Sequence, residues 1–346
     1  MEYTALYRKY RPEKFDEVLG QDHIITSLRG ALKNDSVAHA YLFSGTRGTG
    51  KTSIARIFAG ELGCTKNDVY EIDGASNRKI DDIRALRDAV ATLPLESPYK
   101  VYIIDEVHML TKDAFNALLK TLEEPPQHVI FILATTELHK VLDTIISRCQ
   151  VFQFNTPGQE VLVEMLKSIA KKEKRELDED AAEIISLLAD GSFRDAQGIL
   201  QKILSSVTDK KISRGTIEPI LGVPQDELVE QFVQAGATGD SDKLLGAINA
   251  LKDGSFNAST FLLLVIRKVR LILFMRFSKT MRTSLKKEIS EHEYKFIESL
   301  IGKEGTTLNA GFLAHLLEAL QQTKFASVPY LPLEMFSFKV LETNEE

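Results

Sequence analysis

The sequence predicts an α/β domain built on a mostly parallel sheet, followed by two helical modules. Three observations predict it. Short apolar runs alternate with helical patterns over residues 1–155. Those runs are rich in β-branched and aromatic residues, and continuous runs of this kind suit strands covered on both faces. After Phe154 the strand signal fades while helical periodicity continues.

The strand candidates are Tyr41–Phe43, Val69–Ile72, Val101–Ile104, Val129–Leu133 and Val151–Phe154. Ser53 to Leu62 carries a helical pattern between the first two. The clearest helix follows Thr111, a suitable N-cap, and places Phe115, Leu118, Leu119 and Leu122 at i, i+3, i+4 and i+7. Pro125-Pro126 stops it. Thr156-Pro157-Gly158 marks a boundary. Residues 159–205 read as helices, with Val161, Met165 and Ile169, then Ile184, Ile185 and Leu188, on helical spacing. Leu221-Gly222-Val223-Pro224 is a second boundary, beyond which Phe312, Leu316 and Leu320 again share a helical face. The expected domains are therefore 1–156, 157–222 and 223–346. The polar tail Glu342 to Glu346 is expected to fray.

Composition narrows the class. With 346 residues, 44% hydrophobic and 27% charged, the chain can bury more than one core. No apolar run approaches the roughly 20 residues of a membrane helix, and Met1-Glu2-Tyr3-Thr4 opens no secretory signal. The expectation is a cytoplasmic protein without a membrane partner. Two cysteines, Cys64 and Cys149, exclude a disulfide framework and a four-cysteine zinc site within the chain. A net charge of −6 is not the footprint of a monomeric DNA-binding domain, so any nucleic-acid contact must be local or shared among subunits.

One loop carries most of the chemistry. Gly45-Thr46-Arg47-Gly48-Thr49-Gly50-Lys51-Thr52 fits G-x-x-x-x-G-K-[ST], after a predicted strand and before a predicted helix. Its glycines let backbone N–H groups wrap phosphate oxygens at a helix N-terminus. Lys51 would hold the β- and γ-phosphates and Thr52 a Mg²⁺ ion. About 50 residues on, Asp105-Glu106 closes a strand, and an acidic pair there lies beside the phosphate loop in such sheets. Asp105 would complete the Mg²⁺ shell and Glu106 would polarise an attacking water. The pattern predicts a domain that binds and hydrolyses a nucleoside triphosphate.

Several further signatures occur in a fixed order. They are Tyr7-Arg8-Lys9-Tyr10-Arg11-Pro12, Asp105 through Leu110, Phe115 through Pro126, Ala134-Thr135-Thr136, Ser147-Arg148-Cys149 and Gly191 through Ala196. Together they resemble the AAA+ clamp-loader ATPases, most narrowly the gamma/tau family of bacterial DNA polymerase III. A weaker match, Leu331 to Met335, resembles the family's collar. The resemblance implies an AAA+ P-loop NTPase domain with a parallel sheet, then a small helical lid and a helical collar that assembles subunits.

The resemblance also assigns roles that spacing alone does not. Arg148 matches the arginine finger that acts in trans on a neighbouring subunit's nucleotide. Arg194 matches the second sensor, and Thr136, in preference to Thr135, the first. Tyr7, Arg11, Pro12 and Leu19 lie in the segment that lines the adenine pocket. Asn77, Arg78 and Lys79 lie where relatives meet the DNA backbone, contacts that need only charge and reach. The implied function is that of an ATPase motor subunit using ATP and Mg²⁺ to load a sliding clamp onto primed DNA. It would act with other loader subunits in a pentamer and without sequence specificity.

Two departures from the family are expected to matter. The four-cysteine zinc insert is missing after Cys64, which implies no zinc. The chain also stops where the collar would, which implies a short form without the helicase- and polymerase-binding tail. An archaeal-type small subunit differs by normally carrying Asn at Thr136, and a non-hydrolysing stator by a degraded phosphate loop. A solitary hexameric motor is the remaining rival. Phe261 to Lys287, with eight Lys/Arg and no acid, reads as a collar helix packed through its apolar side, or else as a basic docking helix.

Overall fold

The computed structural model describes residues 4–77, 83, 85–86, 89–301 and 306–342. The chain forms two compact units, Met1–Ile212 and Ser213–Glu346. The first is built on five parallel strands: β1 (Ala40–Ser44), β2 (Val69–Asp73), β3 (Lys100–Asp105), β4 (Val129–Thr135) and β5 (Gln150–Gln153). They lie in the order β2-β3-β4-β1-β5.

The alternation of side chains along each strand divides the core in two. Tyr41, Phe43, Val101, Ile103, Ile130 and Ile132 point to one face, against the helices Asp22–Lys33 and Lys51–Glu61. Leu42, Tyr102, Ile104, Phe131 and Leu133 point to the other, against the helix Lys112–Glu123. Thr111 caps that last helix by accepting from the Ala114 N–H at 3.3 Å.

Two strands depart from the expectation of burial on both faces. β5 is an edge strand, and Val151 on it is 43% exposed. β2 is the opposite edge and is only half covered. An apolar run records β-propensity but not position within the sheet. A second departure lies in the helical stretch after Phe154. Among the helices Gln159–Lys172, Glu179–Leu188 and Phe193–Ser206, Glu176–Leu177 follows the first and pairs with Lys211–Ile212, which follows the last, in a two-residue parallel ladder.

The cysteines fall on opposite faces of the sheet, Cys64 against the first core layer and Cys149 against the second. Burial pushes the Cys64 thiol up to about 11 and the Cys149 thiol up to about 12, so neither is a ready thiolate at neutral pH.

The second unit is helical throughout its described residues, from Arg214–Leu221 to Leu331–Glu342. An aromatic cluster fills its core: Phe232 meets Phe261 edge-on at 5.1 Å and Phe336 in a stack at 5.9 Å, while Phe312 meets Phe336 at 5.0 Å. The basic segment lies mostly on the helix Ala258–Phe277, whose Phe261, Leu262, Val265, Val269 and Ile272 are buried. Lys268 is buried with them, its ammonium 3.0 Å from both Asp226 and Glu230. Arg276 donates to the Leu308 carbonyl and Arg282 to Glu298. Of these three cations only Lys268 is buried.

Asp68 has no exposed surface, and its carboxylate accepts from the backbone N–H groups of Leu95, Glu96 and Ser97 at 2.6, 2.9 and 2.9 Å. Burial alone would raise its pKa, but these bonds outweigh it and bring the value down to about 2. The unfolded chain binds this proton more tightly. Asp68 therefore stabilises the fold fully above the ordinary carboxylate pKa of about 4, and the contribution is lost as pH falls toward 2. Asp68→Asn is expected to melt at lower temperature than wild type at pH 7, with the gap closing between pH 4 and 2. A gap that stays constant with pH would show that the charge contributes nothing.

Candidate functional site

Because every strand is parallel, the C-terminal ends of β1 and β3 open on one edge of the sheet, with β4 between them. The chain leaving β1 turns through Gly48 and Gly50, whose φ angles of +77° and +100° favour glycine. Gly50 leads directly into the helix Lys51–Glu61, whose first N–H groups are free of intrahelical partners. Lys51 is buried, and its ammonium donates to the carbonyls of Gly45 and Thr46 at 2.8 and 2.9 Å. Burial draws its pKa below the ordinary lysine value, against the opposing pull of Glu106 and Asp105. The loop is braced from within by the Thr49 hydroxyl, which donates to the Thr46 carbonyl at 2.9 Å.

The acidic pair at the end of β3 faces this loop. The Thr52 hydroxyl donates to the Asp105 carboxylate at 2.7 Å. Glu106 adopts φ +48° and lines the same cavity. One of its oxygens accepts from the Thr136 hydroxyl at 2.9 Å and from the Thr136 N–H at 3.3 Å. Thr136 thus reaches the site through Glu106.

The cavity has a volume of about 690 Å³. The N-terminal arm supplies Tyr7, Arg11, Pro12 and Leu19, the loop supplies Gly48 to Thr52, and the helical part supplies Met165, Ile169 and Arg194. The Arg194 guanidinium lies 5.9 Å from the Tyr7 ring centroid. Burial lowers the pKa of Arg11, assisted by the nearby cations Arg56 and Arg194 and opposed by Glu71.

Contacts distant in sequence hold these walls together. The Leu6 N–H donates to Gln201 at 2.8 Å, while Lys9 and Tyr10 both donate to Glu173 at 2.6 and 2.5 Å. The Phe193 N–H donates to the Gly48 carbonyl at 3.0 Å, so the helix Phe193–Ser206 starts on the phosphate loop itself. Ser192 caps that helix by accepting from the Asp195 N–H, and a Cβ on Gly48 would stand 2.0 Å from its Oγ. Ser192 and His108 fall inside the signatures quoted above without a role of their own, and Ser192 also opens an S-x-x-D cap pattern, whereas Gln201 and Glu173 carry no local signal.

Of the remaining residues singled out from sequence, Arg148 and Asn77 lie apart from the cavity. Arg148 is held at the surface, donating to Glu123 and to the Thr144 carbonyl, both at 2.7 Å. Asn77 spends its side chain on the Asp73 carbonyl at 3.0 Å, in the turn after β2. Arg78 and Lys79 lie outside the described residues.

A family model described as DNA polymerase III, delta subunit, matches residues 20–78 and 66–158. The DNA polymerase III subunit tau of Bacillus subtilis is 49% identical over 59% of this chain. This chain spans only 40% of that relative's length. The DNA polymerase III subunit gamma of Buchnera aphidicola from Acyrthosiphon pisum is 33% identical over 99% of both chains. Among solved structures, the Thermotoga maritima RuvB Holliday junction branch migration motor aligns at a TM-score of 0.53 and 24% identity. That alignment covers 65% of this chain and 78% of that one, a likeness of fold.

The contact between Gly48 and Ser192 yields a test. Gly48→Ala adds a Cβ at positive φ, against Ser192. It is expected to weaken binding of a fluorescent ATP analogue about tenfold or more, at a cost of roughly 1–3 kcal/mol in backbone strain. Wild-type affinity in this variant would show that the close approach is not needed for the bound form.

Proposed function

The chain belongs to the DNA polymerase III gamma/tau subunit family, and from that premise we propose that it is the ATP-hydrolysing motor subunit of a clamp loader. It would use ATP to place a sliding clamp on primed DNA. The observation that carries this reading is the meeting of Lys51, Thr52, Asp105 and Glu106 at one cavity edge. Phosphate-binding and water-activating groups then face one another across the space a triphosphate needs.

On this reading the loop N–H groups and Lys51 bind the phosphates, while Tyr7, Arg11, Pro12 and Leu19 enclose the base. Thr52 and Asp105 offer hard oxygen donors 2.7 Å apart, a donor set that suits Mg²⁺, and they would hold it. A bound Mg²⁺ neutralises charge on the phosphate oxygens. Glu106 accepts a proton from the attacking water, and Thr136 sets the direction of its carboxylate. Arg194 reports the γ-phosphate to the helix that starts on Gly48, tying lid angle to nucleotide state. The division into motor (1–156), lid (157–222) and collar (223–346) belongs to the same reading.

The partners proposed are the other loader subunits of a pentamer, the clamp, and primed DNA bound without sequence readout. Asn77, Arg78 and Lys79 are the proposed backbone contacts. Cys64 and Cys149 face different core layers, which supports a subunit that uses no zinc. Among the described residues, no helix is long and apolar enough to cross a membrane. That fits a cytoplasmic place of work.

Arg148 supplies the test. Its surface position suits a guanidinium that serves the neighbouring subunit's site. Arg148→Ala is expected to bind ATP normally yet lose most clamp- and DNA-stimulated turnover. Arginine fingers contribute roughly 10³–10⁵ in rate elsewhere. Full stimulated turnover by this variant would exclude the role.

A further inference from the structure

We propose that His108 is a positioning residue for Glu106, setting the direction of the carboxylate that activates water. The inference rests on the ATPase reading above and extends it to a side chain that touches neither nucleotide wall nor phosphate loop. The imidazole is 5% exposed and sits at the centre of a polar cluster between the end of β3 and the end of β4. Its Nδ1 lies 2.9 Å from the Thr135 hydroxyl and 3.4 Å from the Glu106 carboxylate oxygen. Its Nε2 lies 3.4 Å from the Glu137 carboxylate.

The oxygen of Glu106 that faces His108 is also the one that accepts from the Thr136 hydroxyl and N–H. Three polar contacts therefore converge on one oxygen of a residue that lines the cavity. The cluster is anchored at its far end as well. Glu137 is bound by Lys140 at 2.7 Å, and its own N–H donates to the Thr135 hydroxyl at 3.0 Å. Lys140, Glu137 and His108 so form a chain ending on Glu106, with Thr135 bound to both Glu137 and His108. Glu106 needs such support, because its φ of +48° is a strained conformation for a residue other than glycine. Removing the ring leaves Thr136, among the described residues, as the remaining hydrogen-bond partner of the carboxylate. A small misdirection of a reacting group costs rate while leaving remote binding contacts intact.

The test compares His108→Leu, His108→Asn and His108→Gln in the full chain assembled with its partner subunits, reading kcat and KM for ATP. Leu fills much of the space with no polar atom. Asn can reach the Nδ1 partners, Thr135 and Glu106, whereas Gln reaches toward Glu137. The expected result is a 10- to 100-fold fall in kcat for Leu and Gln, with KM changed less than about threefold. Asn should restore most of kcat. Asn and Gln with equal kcat would overturn the proposal, even if the Leu variant does not fold. So would a parallel loss of kcat and ATP binding in all three, which marks a purely structural residue. Absence of ATP hydrolysis in the wild-type assembly would instead overturn the ATPase reading itself.

Discussion

The site depends on β4 lying between β1 and β3. Were the strands paired in chain order, the phosphate loop after β1 and the acids after β3 would be held apart by β2. With β4 between them, and all strands parallel, the two loops leave the same edge one strand apart, and Thr52 can donate to Asp105. The same insertion brings the end of β4 beside the end of β3, which puts Thr135 and Thr136 against His108 and Glu106. Parallel pairing needs crossovers that cover both faces, which is why β1, β3 and β4 are almost wholly apolar. The polar groups of the site emerge only where those strands end.

A second constraint is how the cavity is closed. Its base is the sheet edge, but its walls come from the N-terminal arm and from helices after Phe154. These walls are joined to one another by Leu6 with Gln201 and by Lys9 and Tyr10 with Glu173. They are joined to the floor by Phe193 bonding Gly48. A triphosphate that repositions the loop must therefore displace the start of the helix carrying Arg194. Gly48 has no side chain to spare for this contact, since a Cβ would overlap Ser192. The glycine thus serves both the turn after β1 and the junction with the helix Phe193–Ser206.

Much of this was legible in the sequence where a local rule applied. The loop Gly45–Thr52 is bound to a strand on one side and a helix on the other by its own spacing, and Asp105-Glu106 ends an apolar run of strand type. Thr111 announced its helix by capping chemistry. Edge position was not legible: Val151 and Phe152 read like Ile103 and Ile104, because the sequence does not say which strand lacks a neighbour. Nor was the fate of charges. The cations of Phe261 to Lys287 left a packed helix and a docking helix both open in sequence, and the burial of Lys268 against Asp226 and Glu230 depends on residues some 40 positions earlier. His108, Asp68 and Gln201 had no role of their own in sequence for the same reason, since their meaning lies in partners that folding supplies.

The proposed motor hydrolyses ATP in this cavity at a rate set by assembly on clamp and DNA. The most direct measurement is the steady-state ATPase rate of the purified chain, alone and then with the other loader subunits, the clamp and primed DNA. Slow turnover alone and strong stimulation only by the full set are expected, because Arg148 lies outside its own chain's cavity. Full turnover by the isolated chain, unaffected by clamp or DNA, would contradict the proposal.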